Sequence, residues 1–93
     1  MENVELIKTQ TQKVILETLP QIHRKELSDD SNIFSLGLGS IDVMTLITKL
    51  ENTFNIKFSI HEINFDTFQN LNTIVALIKH NKHPENPSDQ LNS

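Results

Sequence analysis

One serine, and the two glycines just ahead of it, have the most chemistry to offer. The chain holds only two glycines, Gly37 and Gly39, and both fall within three residues of Ser40 in the stretch "FSLGLGSIDVM". A serine there can cap a helix by accepting a hydrogen bond from the amide of Asp42 or Val43. It can also be a modification site. Helix openings carry free amides and the positive end of the helix dipole, so a phosphate ester on Ser40 Oγ would lie in a favourable field. Glycine ahead of it lets the backbone turn sharply and lets another molecule come close. Ile41 follows, apolar and on the face turned from the core, with Met44 on its flank. Exposed apolar residues beside a modifiable serine suggest a docking patch.

The other reactive side chains offer less. His23 and His61 have no neighbouring nucleophile in the sequence, so a Ser–His–Asp hydrolase built on Ser40 lacks a base and an orienting acid. His80-x-x-His83 could bring two imidazoles together, but no Cys, Asp or Glu at suitable spacing completes a metal site, and no metal is expected. Asp29-Asp30 reads as a solvated turn. Cysteine is absent, which removes disulfides, thiolate nucleophiles and cysteine-based zinc sites.

The elements that must position Ser40 follow from the pattern. Ninety-three residues make one domain with one modest core. Val4, Ile7, Val14, Ile15 and Leu19, with Thr11 filling a gap, recur at helical spacing, and Pro20 stops that helix by Leu19. Residues 20–39 form a long connection whose apolar members, Ile22, Leu27, Ile33, Phe34, Leu36 and Leu38, are expected to pin it across the helices. From Ser40 to Phe54, the residues Val43, Leu46, Ile47, Leu50 and Phe54 share one stripe, the core face of a second helix. Asn55 can take the left-handed conformation that ends it. Ser59 and Glu62 fit a capping box ahead of a short third helix, about Ile60 to Phe65. Leu71, Ile74, Val75 and Ile78 mark a last helix to about His80. The polar, proline-containing stretch 81–93 reads as a disordered tail. The prediction is an all-α four-helix bundle, with three longer helices, one short third helix and a long first loop. Residues 1–80 form the domain.

Charge and hydropathy narrow the partners. Net charge is −4 and the eight Lys and Arg residues are scattered, which disfavours nucleic acid. No apolar run approaches the ~18 residues of a membrane span. The N-terminal stretch "MENVELIKTQ" lacks a secretion-signal layout, and a cytoplasmic monomer is expected.

The stretch "LGLGSIDVMTLITKLENTFNI" resembles the acyl and peptidyl carrier proteins. Leu36-Gly37, Ser40, Asp42, the Leu46/Ile47/Leu50 core, Glu51 and Phe54 stand where that family has its leucine-glycine pair, serine, aspartate and amphipathic helix. The resemblance extends over roughly residues 4–80. It implies a non-enzymatic carrier in which Ser40 bears 4′-phosphopantetheine as a phosphodiester. A thiol at the end of that arm would hold an acyl or aminoacyl group as a thioester. The implied partners are a phosphopantetheinyl transferase, an acyl- or aminoacyl-activating enzyme and downstream tailoring or condensing enzymes. They would dock on Gly39, Ile41, Asp42, Met44 and Thr48. The residue before the serine is usually Asp in that family, and here it is Gly39. The serine-bearing helix, often strongly acidic in fatty-acid carriers, holds only Asp42 and Glu51 against Lys49. Docking should therefore rely on apolar contact more than on charge. With "FDTFQNLNTI", this is similar to stand-alone peptidyl-type carriers loaded with one amino acid, such as proline. A fatty-acid or D-alanyl carrier and a carrier-fold interaction module without the arm are the alternatives.

Overall fold

The computed structural model describes residues 3–82. Three α-helices form the bundle: α1, Val4–Thr18; α2, Ser40–Phe54; and α3, Leu71–Lys82. Two one-turn 3-10 helices, Arg24–Glu26 and Ile60–Glu62, lie in the connections. There is no strand among the described residues. α1 is the central element and packs against both α2 and α3.

Local chemistry sets the helix ends. Asn3 Oδ1 accepts the amides of Glu5 and Leu6 at 3.0 and 3.2 Å and opens α1. Pro20 follows its last turn, as expected from the sequence. Asn55, at φ 55°, closes α2 in the left-handed conformation. Asn70 Oδ1 accepts the Thr73 amide at 2.9 Å at the start of α3. That last helix runs two residues past its expected end at His80, through Asn81 and Lys82. The rest of the expected tail, residues 83–93, lies outside the described residues.

The core follows the predicted stripes, with two adjustments. Leu46, Leu50 and Phe54 of α2 are buried, while Val43 and Ile47 are half-buried against them. Ile7, Val14 and Ile15 of α1 are buried, but Val4 sits in the first turn, where the stripe runs out, and is exposed. Thr11 is fully buried, and its hydroxyl donates to the Ile7 carbonyl at 2.7 Å, which removes the cost of burying it.

The expected short third helix from Ile60 to Phe65 is not formed. Only the 3-10 turn Ile60–Glu62 is present. The capping contact is made, with Glu62 Oε1 accepting the Ser59 amide at 2.7 Å. A continued helix would then use the Glu62 carbonyl for the Asp66 amide. Instead the Thr67 hydroxyl donates to that carbonyl. Asn64 Oδ1 accepts the Thr67 amide at 2.9 Å and starts a separate turn. Side-chain hydrogen bonds have outcompeted the helix.

The long first loop is pinned, as its apolar residues suggested. Leu27, Ile33 and Leu38 are buried, and Ile22, Phe34 and Leu36 pack against the core. The Ile33 amide donates to the Gln69 carbonyl at 2.9 Å, and the Asn72 amide to the Asp29 carbonyl at 3.1 Å. Asp29 is more than a solvated turn residue: its carboxylate accepts from Lys8 Nζ at 2.6 Å. The loop is thus tied to α1 and to the start of α3.

Two outcomes test this arrangement. Ile33→Ala should cost about 2–5 kcal/mol by urea unfolding, the usual range for emptying a buried isoleucine site, although the residue lies in a loop. The hydrogen bond with Asp29 raises Lys8 above the ordinary lysine value of 10.5, desolvation opposes the rise, and the charges of Asp29 and Glu5 add to it. A raised lysine stabilises the fold fully below that value and loses its contribution as pH climbs through the folded one. Thermal melts at rising alkaline pH should show a steeper decline for the wild type than for Lys8→Met.

Candidate functional site

The start of α2 does not have the capping arrangement that its serine alone would suggest. Gly39 occupies the cap position and Ser40 is the first helical residue. The Val43 amide, one of the two that the serine was expected to cap, donates to the Gly39 carbonyl at 3.0 Å, and the Ser40 hydroxyl caps neither. Asp42 Oδ2 accepts the Gly39 amide at 3.0 Å and closes the turn. Ser40 is exposed, and its hydroxyl has no hydrogen-bond partner among the described residues. The amides of Ser40, Ile41 and Asp42 precede the first helical bond and have no helical acceptor.

The two glycines serve different needs. Gly37 has φ +118°, a conformation that side chains rarely adopt, and a Cβ there would meet Gln21 Nε2 at 3.0 Å. Gly39 has φ −96°, open to any residue, and a Cβ there would be in ordinary contact with Asp42 Oδ2 at 3.6 Å. The backbone therefore demands glycine only at 37. At 39 the glycine leaves bare space beside the serine.

Three of the five predicted docking residues, Ile41, Met44 and Thr48, fall along one exposed line of α2, while Gly39 is the cap residue ahead of it. Ile41 is 82% exposed and Met44 69%, and Thr48 continues the line one turn on. Asp42 is half-buried and engaged with the Gly39 amide. Lys49 lies 3.8 Å from Glu17, so the face around the line holds little unbalanced charge.

A cavity of about 540 Å³ opens beside Ser40, which was not anticipated from the sequence. Phe34 and Leu38 of the first loop, Val43 of α2, and Ile63, Phe65 and Phe68 of the second connection line it, with Gly39, Ser40 and Asn64 at its polar edge. Three of the five phenylalanines of the chain meet here, a concentration that the sequence holds but does not place. No charged side chain contributes to the lining.

Other candidates are not brought to this site. No histidine hydrogen-bonds to Ser40 among the described residues, and His23 and His61 are exposed. His80 lies exposed on the last turns of α3, and His83 is outside the described residues. Among the described residues, no group of three His, Cys, Asp or Glu side chains is placed to hold a metal.

Together these features define a small helical bundle that presents one free hydroxyl at a helix opening, between an apolar line and an apolar cavity. The model of the phosphopantetheine attachment site family matches residues 13–80, and the chain belongs to that family. Its members are non-catalytic carriers that bear 4′-phosphopantetheine covalently on a serine, and a phosphopantetheinyl transferase and other enzymes act on them. No curated protein matches the chain. No helix among the described residues is long and apolar enough to cross a membrane.

The two glycines give a direct check on the local geometry. Gly37→Ala should lower stability by about 1 kcal/mol or more, because the native φ is one alanine resists. Gly39→Asp should stay within roughly 0.5 kcal/mol of wild type, since aspartate is a favoured cap residue, offset by repulsion from Asp42. Urea midpoints of the two variants measure both.

Proposed function

We propose that Ser40 is the attachment serine of this carrier and that residues 1–80 act as the carrier unit. The observation that carries this reading is the free, exposed Ser40 hydroxyl at the first residue of α2. The surroundings fit a phosphodiester. Three amides without helical acceptors lie at the positive end of the helix, and residue 39 has no Cβ to crowd the ester. Asp42 contributes by closing the turn through the Gly39 amide, which holds Ser40 at the helix opening. When bound, the arm supplies a terminal thiol that holds a cargo as a thioester.

The chain's own residues would present that cargo. Ile41, Met44 and Thr48 form the surface on which partner enzymes dock, with Gly39 and Asp42 at its edge. Its weak charge favours apolar contact, and docking should change little with salt. The cavity beside Ser40 takes the uncharged part of a cargo, since a charge buried there would find no partner. We read the chain as a peptidyl-type carrier of a cytoplasmic secondary-metabolite pathway, with an acyl or aminoacyl cargo such as a prolyl group. A fatty-acid or D-alanyl carrier is the variant of the same reading.

Gly39 favours one further reading, a carrier fold that has lost its arm and binds partners directly. Nothing in the backbone at 39 requires glycine, and the aspartate usual in the family is missing there.

Intact-mass measurement separates the two. Incubated with coenzyme A and a broad-specificity phosphopantetheinyl transferase, the chain should gain one arm and one titratable thiol. Ser40→Ala should gain neither. A chain that several transferases leave unmodified, yet that forms a stoichiometric complex indifferent to Ser40→Ala, would establish the armless reading.

A further inference from the structure

The connection between α2 and α3 carries exposed apolar surface beside the cavity. Phe65 is 74% exposed, yet its ring meets Phe34 edge-on, with centroids 4.8 Å apart. Phe34 comes from the first loop and Phe65 from the second connection, and both line the cavity beside Ser40. The two rings therefore meet at the edge of that cavity from separate segments.

With no α-helix in the connection, side-chain bonds place Phe65. Glu62 is central. Its Oε1 holds the Ser59 amide, and its Oε2 accepts Asn81 Nδ2 at 3.1 Å from the last turn of α3. Asn81 Nδ2 also reaches the Leu77 carbonyl at 2.9 Å, so the amide is oriented by its own helix. The Thr67 hydroxyl donates to the Glu62 carbonyl and draws in the turn that carries Phe65. Asn64, the one polar side chain of this wall, is already committed. Its Oδ1 accepts the Thr67 amide, and its Nδ2 reaches the His61 carbonyl at 3.5 Å. The wall offers nothing to a charged group.

We propose that Phe65 is the specificity-determining residue of this carrier. Closed on Phe34, it restricts the cavity to the slim, uncharged part of a group carried on Ser40. The Glu62–Asn81 bridge is the positioning contact that keeps it closed. This inference rests on Ser40 being the attachment serine. Phe65→Ala opens the edge without unfolding the domain, because the ring is largely outside the core. Asn81→Asp keeps the side-chain size but sets a second carboxylate against Glu62, which releases the turn.

The test uses the full chain loaded by a phosphopantetheinyl transferase from hexanoyl- or 2-naphthoyl-coenzyme A. Wild type, Phe65→Ala, Asn81→Asp and Ile60→Ala are compared. The rate at which hydroxylamine cleaves the thioester reads shielding, and methyl resonances of Val43 and Ile63 read entry. On wild type, hexanoyl should be cleaved about tenfold more slowly than on free pantetheine, the protection that burying roughly 55 Å² of apolar cargo supplies. Naphthoyl should be unprotected. Phe65→Ala and Asn81→Asp should protect naphthoyl and shift both methyl resonances, while Ile60→Ala, exposed but outside the cavity, should match wild type. A merely destabilised Asn81→Asp would instead lose protection of hexanoyl and gain none for naphthoyl. That result, or naphthoyl treated alike by wild type and Phe65→Ala, overturns the proposal and leaves Ser40 attachment standing. A chain whose mass never rises with the transferase sinks the attachment reading, and the proposal with it.

Discussion

Burial of Leu46 and Leu50, neither with any exposed surface, sets the rotation of α2 about its axis, and much of the site follows from that rotation. A helix turns about 100° per residue. With positions 46, 50 and 54 held inside, positions 41, 44 and 48 must face outward. The fold needs that face to be exposed, but it does not need isoleucine and methionine there. Their apolar surface is a feature the bundle can carry without requiring it. The same rotation, together with the Gly39 cap, leaves the Ser40 hydroxyl in solvent and without a partner.

The second constraint is the mutual pinning of two irregular segments. The first loop and the α2–α3 connection exchange the Ile33–Gln69 backbone bond and the Phe34–Phe65 ring contact. Buried Phe58 and Phe68 meet edge-on at 5.6 Å and anchor the connection on either side of its exposed turn. Glu51, mostly buried at its side chain, accepts the Phe58 amide at 3.0 Å and fixes the point where the chain leaves α2. The cavity lies between these anchors because the two segments bring rings rather than a packed helix to the start of α2. A regular third helix would present a different wall there.

Much of the fold was legible in the residues themselves. The spans of α1 and α2 follow from apolar periodicity bounded by Pro20 and Asn55, both of which act locally. The pinning of the first loop was readable because apolar residues in a long connection have few places to go except the core. The third helix was not legible locally: the Ser59 amide does donate to Glu62 as a helix start requires, but Thr67, five residues further on, decides the outcome. The cap lies one residue ahead of Ser40, at Gly39. A glycine can stand at the cap when a carboxylate three positions later closes the turn, and Asp42 does so.

Sequence alone determined the helical class, the serine at a helix opening and its apolar flank, because these depend on spacing within one short stretch of chain. It also carried the family resemblance through residues that lie close together. Only the tertiary structure decided that Gly37 needs glycine and Gly39 does not, since that turns on backbone angles and on Gln21, far away in the chain. Only the tertiary structure brought Phe34, Phe65 and Phe68 to Ser40, and Asn81 to Glu62. Those contacts join residues from separate segments, and no local periodicity encodes which segments will meet.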